Sequence, residues 1–164
     1  MGVLVNASDF VGDLEVAYND FTEQSFQDFI DSMEEYYSML ILGEKLRDDV
    51  FLYLANPTPA NPAYDKLLLP FSFQRGSRLY QSYGLKKTVA LFIRAKWLNK
   101  TQAKSTFAGA GKGQADNTII NSQALFLGWN DAAKSAKAIQ QYCIKNRSDF
   151  SNFRLTDIPY NHNA

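Results

Sequence analysis

Two apolar stripes joined at one glycine constrain the fold of this chain more than any other feature. Between Ser25 and Leu54 the apolar residues recur at steps of three and four, the spacing of one helix face. The first stripe comprises Phe26, Phe29, Ile30, Met33, Tyr37, Leu40 and Ile41, and the second comprises Leu46, Val50, Tyr53 and Leu54. Gly43 between them predicts a helix end, because a positive φ costs glycine little. The pattern therefore predicts a helical hairpin whose two stripes cover each other.

Two more helices are predicted between this hairpin and the middle of the chain. Asn61 and Pro62 are a favourable N-cap and first-turn pair, so a short helix begins there and stops before Pro70. Residues 71–84 are rich in polar side chains and contain two glycines, which predicts a surface loop. From Leu85 to Asn99 the apolar residues nearly encircle a helix. This segment is therefore predicted to be a central helix covered on more than one side.

The last long element is predicted to run from about Ile119 to Lys145, with Asp116 or Asn117 as its cap. Its apolar face comprises Leu125, Trp129, Ala132, Ala136, Ile139 and Cys143. Residues 101–117 lack a helical stripe and hold three glycines, which predicts a loop or a short β-hairpin. Together the patterns predict an all-α bundle of about four to five helices, with this glycine-containing loop or hairpin inserted before the last long helix.

Length and composition fit a single domain with an N-terminal arm (residues 1–24) and a C-terminal tail (residues 148–164). The 164 residues are 46% hydrophobic, which is enough for one core. No apolar run approaches the roughly 20 residues that span a bilayer, and Met1–Asn6 lacks the basic start of a signal peptide. Cys143 is the single cysteine, which excludes an internal disulfide. We expect the arm to be loosely packed or to hold a short helix, and the polar tail to rest on the surface or on a neighbour.

Charge is divided unevenly along a chain whose net charge is zero. Residues 1–50 carry 12 Asp and Glu against 2 Lys and Arg, a net charge of −10, and residues 51–164 carry +10. The two parts can neutralise each other within one fold. Alternatively, one flank of the subunit is acidic and the other basic, so that identical copies attract head to tail. The sequence leaves both interpretations open.

Residues that carry catalytic or ligand-binding chemistry are sparse. Ala108–Gln114 is similar to a phosphate-binding loop, but Thr106 and Gly113 stand where that motif needs a glycine and a hydroxyl residue. His162 lies in the polar tail, and Cys143 lies on an apolar helix face where it acts as a small hydrophobe. Neither has a catalytic partner nearby in sequence. We therefore predict no catalytic residue, no metal site, no cofactor and no enzyme activity.

Charged residues of the predicted helices are the main candidates for interaction. Four carboxylates lie opposite the apolar stripe of the first helix: Asp28, Asp31, Glu34 and Glu35. Their simplest role is to form the solvated side of that helix. Seven cations concentrate in one third of the chain: Lys86, Lys87, Arg94, Lys96, Lys100, Lys104 and Lys112. They allow an alternative function as a small helical nucleic-acid-binding or regulatory protein, although the acidic first third opposes simple coating of phosphates.

Several motifs also occur along the chain in a recognisable order. The first is Phe29-Ile-Asp-Ser-Met-Glu-Glu-Tyr-Tyr-Ser-Met-Leu-Ile-Leu-Gly43-Glu-Lys-Leu46. The second is Tyr64-Asp-Lys-Leu-Leu68, and the third is Gly84-Leu-Lys at the start of a helix that ends in Trp97-Leu-Asn99. A loop through Thr106 and Gly113 comes next, and Trp129-Asn130 is the last. Across residues 20–150 this ordered set resembles the head–tail connector proteins of tailed bacteriophages. The segment 70–83 and the C-terminal tail depart from the family pattern.

The resemblance implies a virion protein of the phage neck, also called an adaptor or head-completion protein. Such a protein is a helical bundle, made in the host cytoplasm and located in the virion at the head–tail junction. Its implied partners are further copies of itself, in a ring commonly of about twelve, the portal protein, and other neck or tail proteins. Genomic double-stranded DNA is met only as it passes through the channel, and no membrane is involved.

A candidate subunit or portal interface follows from these patterns. It comprises Asp28, Asp31, Glu35, Lys86, Lys87, Lys96, Phe107 and Lys112. We expect the acidic face of the first helix, Glu34 included, to meet the lysines at positions 86, 87 and 96 of a neighbouring copy. We expect the loop 101–117 to reach the portal or an adjacent subunit and to order on contact.

Overall fold

Five α-helices and one antiparallel β-hairpin make up the described part of the chain. The computed structural model describes residues 3–16, 23–107 and 115–159, and it describes the backbone alone for residues 23, 101–107 and 115–126. The elements are α1 (Glu23–Leu42), α2 (Glu44–Ala55), α3 (Pro62–Leu68), β1 (Phe71–Arg75), β2 (Arg78–Ser82), α4 (Leu85–Phe107) and α5 (Ala115–Lys145). The predicted helical bundle is confirmed, and its one described hairpin lies between α3 and α4 rather than before the last long helix.

α1 and α2 form the predicted helical hairpin. Gly43 joins them with a φ of 75°, and a Cβ added there would lie 3.1 Å from the carbonyl oxygen of Arg154. The predicted stripe of α1 faces inward, since Phe26, Ile30 and Ile41 are fully buried. The three-and-four spacing therefore identified the core face of this helix correctly. Asn61 caps α3 as predicted, because its side chain accepts hydrogen bonds from the first amides of that helix.

α4 is the central helix, as its all-round apolar pattern predicted. It packs against both α1 and α5. The ring of Trp97 lies 4.7 Å from the ring of Phe26 on α1. Phe92 stacks on Tyr37 at 5.0 Å and meets Trp129 of α5 edge-on at 4.9 Å. Aromatic rings from three helices therefore fill the centre of the core.

The segment predicted as a surface loop, residues 71–84, instead contains the β-hairpin. Gly76 has a φ of 61° and forms with Ser77 a two-residue turn, which matches the twist of paired antiparallel strands. The aromatic side chains on one face of the hairpin are Phe71, Phe73 and Tyr80. This face packs on Tyr142 of α5, whose ring lies 4.8 Å from that of Phe71. Polar residues alternate with these aromatic residues, which explains the loop-like composition.

The loop or hairpin predicted over residues 101–117 is wrong wherever the structure describes that segment. The backbone of α4 continues as a helix to Phe107, and α5 already begins at Ala115. Asp116 and Asn117 therefore lie within the first turn of α5 rather than before it. Residues 101–107 contain no glycine or proline, so nothing in their backbone chemistry stops α4 at Asn99. Residues 108–114 lie outside the described residues.

The described part of the N-terminal arm, residues 3–16, is packed on the bundle rather than loose. It contains two short 3-10 helices, Ala7–Asp9 and Gly12–Leu14. Five of its large apolar side chains are buried: Leu4, Val5, Phe10, Leu14 and Val16. The ring of Phe10 lies 4.8 Å from that of Phe26 on α1, so the arm extends the aromatic core.

The described part of the C-terminal tail, residues 148–159, contributes three side chains to the core, whereas the tail was predicted to rest on the surface or on a neighbour. Phe150, Phe153 and Ile158 are each at most 5% exposed. The Nε2 of Gln140 donates to the carbonyl oxygen of Thr156 at 3.1 Å, and the hydroxyl of Thr156 donates to the carbonyl oxygen of Leu40. The tail therefore ties α5 to the end of α1.

Candidate interaction surfaces

Glu34 holds the N-terminal arm against α1. Its carboxylate accepts three backbone hydrogen bonds, from the amides of Val3 at 2.9 Å, Leu4 at 3.0 Å and Val5 at 2.6 Å. Gln27, two turns earlier on α1, accepts from the amide of Ala7 at 2.8 Å. Glu34 is 4% exposed, so its prediction as part of a solvated acidic face was wrong. Three donors can stabilise a carboxylate that has left water.

Cations of α4 hold the other side of the arm. Lys86 Nζ lies 2.9 Å from Asp9 Oδ1, and Lys87 Nζ lies 2.7 Å from Asp13 Oδ2. The hydrogen bond from Lys87 lowers the pKa of Asp13, because it stabilises the ionised carboxylate. Arg94 Nε donates to the carbonyl oxygen of Glu15 at 3.2 Å. The arm therefore lies between α1 and α4 and is bonded to both.

These pairs partly neutralise the uneven charge within one subunit. Asp9 and Asp13 belong to the acidic part of the chain, and their partners Lys86 and Lys87 belong to the basic part. Both lysines remain about half exposed, with side-chain exposures of 46% and 40%. Contact of Lys86 and Lys87 with a neighbouring copy stays a prediction. For such a contact, each ammonium must either bind a second carboxylate or release the one on the arm.

The carboxylates predicted for the interface lie along α1. Asp28 is exposed and accepts a hydrogen bond from the Nε2 of Gln24 at 2.9 Å. Asp31 is half-buried and accepts from the Nε2 of Gln27 at 2.7 Å, so it supports the residue that binds the arm. Glu35 is 68% exposed, and its Oε1 lies 3.2 Å from Arg47 Nη1 on α2. The structure therefore brings these three residues to one helix, where Asp28 and Glu35 point outward.

We define the outer face of α1 as the exposed residues Asp28, Ser32, Glu35, Tyr36 and Met39. Two of these are large apolar side chains, Tyr36 at 52% exposure and Met39 at 38%. The carboxylates of this face were predicted from the sequence, but its apolar members were not. The signal was available, because Tyr36 and Met39 lie three residues apart and neither belongs to the predicted buried stripe. Aromatic and methionine side chains are enriched at protein interfaces.

The remaining predicted interface residues lie on and beyond α4. Lys96 is exposed, and it pairs with no carboxylate among the described residues. Phe107 is the last residue of α4, and its side chain lies outside the described part. Lys112 also lies outside the described residues. The structure therefore gives a surface position for Lys96 alone among these three.

A groove of about 870 Å³ lies between the hairpin and α5, and we call it the hairpin groove. It is lined by the start of β1, by β2 and the following turn, and by one face of α5. The lining includes Ser72, Leu79, Gln81 and Tyr83 from the hairpin side, and Lys134, Ala138 and Gln141 from α5. Sequence analysis missed it because the hairpin itself was predicted as a loop. The usable signals were the alternating aromatic residues and the Gly76-Ser77 pair.

Ser82 and Ser135, which line the hairpin groove, share hydrogen bonds with the buried hydroxyl of Thr88. Ser135 Oγ lies 3.0 Å from Ser82 Oγ and 2.6 Å from Thr88 Oγ1, and it accepts from the amide of Tyr83 at 3.0 Å. Thr88 donates to the carbonyl oxygen of Gly84 at 2.6 Å. No acid or base lies in this bonded cluster, so it joins α4, α5 and β2 rather than activating a nucleophile.

Burial raises the pKa of two groups in the core, Cys143 and Tyr37. Burial raises the pKa of the Cys143 thiol to about 12, which leaves it protonated and unreactive at neutral pH. Burial also raises the pKa of Tyr37 to about 12. Both residues are at most 2% exposed. The interpretation of Cys143 as a small core hydrophobe is therefore confirmed.

The last features are metal binding, membrane crossing and similarity to known proteins. Among residues 3–16, 23–107 and 115–159, no group of three or more His, Cys, Asp and Glu side chains is placed to hold a metal ion. Within the same residues, no helix combines the length and hydropathy needed to cross a bilayer. Comparison of the chain with protein-family models, with curated proteins and with solved structures gives no match.

Proposed function

We propose that this chain is a structural subunit of the neck of a tailed bacteriophage. In this proposal, copies form a ring that joins the portal of the capsid to the tail and continues the DNA channel. The subunit acts by packing against neighbours, without a cofactor or a catalytic step. The ordered motifs described above support the phage assignment, and the helical bundle agrees with it.

The outer face of α1 is the observation that carries the proposal. The inner face of the same helix is buried against α4 and the arm, so the outer face is free to meet another molecule. Tyr36 and Met39 supply apolar area there, and Asp28 and Glu35 add negative charge on the same face. An apolar centre with a charged rim is the usual anatomy of a protein interface.

A neighbouring copy can offer Lys96 as the complement to this face. Lys96 is exposed and has no described carboxylate partner, whereas Lys86 and Lys87 are already bonded to the arm of their own chain. Contact between different surfaces of identical copies is heterologous, and such contacts close into rings when the rotation allows it. Opposite charges on the two surfaces favour this orientation over self-pairing of either one.

The test is assembly of a variant in which the outer face of α1 is changed. Asp28→Lys combined with Tyr36→Ser reverses one charge and removes the most exposed ring of the face, without touching the bond between Glu35 and Arg47. Asp157→Lys is the control, because it makes the same charge change on an exposed tail residue. Each protein is mixed with purified portal protein of the same phage, and solution mass and electron-microscope images are recorded.

We expect wild type and Asp157→Lys to form rings on the portal and the double variant to stay unassembled. Unchanged assembly of the double variant would contradict the role of this face. A wild-type protein that neither binds portal nor associates with itself would contradict the proposed function. DNA affinity that falls steeply with salt, without portal binding, would instead favour the nucleic-acid-binding alternative.

A further inference from the structure

The outer edge of β2 has no partner strand among the described residues. Arg75 and Arg78 flank the two-residue turn and are paired, so they form a hydrogen-bonded pair, and such pairs alternate with non-bonded ones along the strands. The non-bonded pairs are Gln74 with Leu79 and Ser72 with Gln81. The backbone N–H and C=O groups of these residues therefore point away from the partner strand.

Two observed contacts agree with this alternation. Lys145 Nζ bonds to the carbonyl oxygen of Gln74 at 3.0 Å, so that carbonyl points out of β1. The amide of Tyr83, two residues beyond Gln81, donates to Ser135 Oγ at 3.0 Å, so the outer edge of β2 turns towards α5. Ser135 thus occupies the end of this edge. Further along the same edge, the outward backbone groups of Gln81 and Leu79 point into the hairpin groove. They have no hydrogen-bond partner among the described residues.

The wall of the groove opposite this edge is one face of α5. Lys134, Ala138 and Gln141 recur at steps of three and four, so they lie in line. Arg78 and Lys134 bring positive charge to the opening, and Lys137 also lines it. Asp131 is the single carboxylate among the described lining residues, and its Oδ1 lies 3.6 Å from Lys134 Nζ at an exposed position. The groove therefore combines free backbone donors and acceptors with a positive rim.

We propose that the hairpin groove binds an extended acidic segment of a partner polypeptide, which adds a third strand to β2. The segment bonds through its own backbone to Leu79 and Gln81, and alternate side chains point towards Ala138 and Gln141. Its carboxylates lie near Arg78 and Lys134. A polypeptide matches this edge because its N–H and C=O groups repeat at the same interval, which a nucleic acid backbone does not. The inference is independent of the proposed phage function.

The first test compares two substitutions at Gln81. Gln81→Pro removes the outward N–H but no hairpin hydrogen bond, because this amide belongs to a non-bonded pair. Gln81→Ala keeps the amide and removes only the side chain. The probe is a fluorescent alternating Glu-Val octapeptide, and binding is followed by anisotropy. We expect Gln81→Pro to weaken binding about tenfold or more, because a bond and a strand contact are both lost, and Gln81→Ala to change it about threefold or less.

The second test uses charge, and it stands even if Gln81→Pro fails to fold. Arg78→Glu combined with Lys134→Glu reverses the positive rim, and Lys96→Glu on α4 is the matched control. We expect the double variant to lose the acidic peptide and the control to keep it. An alternating Lys-Val octapeptide should bind the double variant better than wild type, because the positive rim of wild type repels it and the reversed rim attracts it. Equal binding of both peptides to wild type would overturn the proposal.

Amide hydrogen exchange locates the added strand directly. In the free protein the amides of Leu79 and Gln81 should exchange fast, and those of Arg78 and Tyr80 slowly. The acidic peptide should slow the exchange at Leu79 and Gln81. Absence of this protection at saturating peptide would overturn the proposal. Self-association of wild type that Gln81→Pro abolishes would also overturn it, because a second copy is then the occupant.

Discussion

Replacing the buried carboxylate of Glu34 tests how the arm is held. Glu34→Ala removes the acceptor of three backbone hydrogen bonds, two of which are fully buried, from Leu4 and Val5. A buried donor left without a partner costs about 1–3 kcal/mol, so two of them cost about 2–6 kcal/mol. Release of the arm lets water reach these amides and limits the loss, although it exposes the side chains of Leu4 and Val5. We therefore expect the free energy of unfolding to fall by about 2–5 kcal/mol.

The assay is urea denaturation of Glu34→Ala against Glu35→Ala. The two positions are adjacent on α1, but Glu35 is 68% exposed and pairs only with Arg47 at 3.2 Å. We expect the Glu35→Ala change to cost less than about 1 kcal/mol, as is usual for an exposed pair. Limited proteolysis should cut the arm faster in Glu34→Ala only. A loss below about 0.5 kcal/mol for Glu34→Ala would refute the reasoning, since it would mean that the bonds to the arm contribute little.

Three other predictions concern packing and protonation. Gly84→Ala should lower the free energy of unfolding, measured by urea denaturation, by at least about 3 kcal/mol, because φ is 82° and the new Cβ would lie 2.4 Å from the carbonyl oxygen of Leu68. Gly76→Ala, with open space around it, should lower it by about 1–2 kcal/mol. The Cys143 thiol should react with a disulfide reagent only at the rate of opening, and fast reaction in the native protein would contradict its burial. Burial raises the pKa of Tyr37, so near pH 10 the unfolded state releases a proton that the folded state still holds. The free energy of unfolding should therefore fall between about pH 10 and 12, and it should fall less steeply in Tyr37→Phe.

Features with a local period were predictable from the sequence. The stripe through Phe26, Ile30 and Ile41 follows helix geometry, so its burial needs no knowledge of what covers it. The same holds for the Asn61 cap, which acts within one turn. α4 was placed correctly at its start but continued past Asn99, because no breaking residue marks that end.

Features that depend on distant segments were not predictable. Glu34 lies four residues after Ile30 and three before Tyr37, so its helix phase is that of the buried stripe, but only the arm some 30 residues away supplies the amides that its carboxylate binds. The buried tail residues Phe150 and Phe153 follow no helix or strand period, so their sequence looks like that of a surface segment. To predict the hairpin groove, one would need to know both that the hairpin forms and that it packs on α5. The packing on α5 is a tertiary contact, which local propensity does not indicate.

The buried tail has a consequence for how the chain is made. Phe150, Phe153 and Ile158 close the core, and Thr156 bonds back to Leu40. During translation α1 to α4 leave the ribosome well before these residues. The nascent chain therefore carries an incompletely covered apolar surface until residue 158 has left the ribosome, and it is most vulnerable to aggregation and to proteases in that interval.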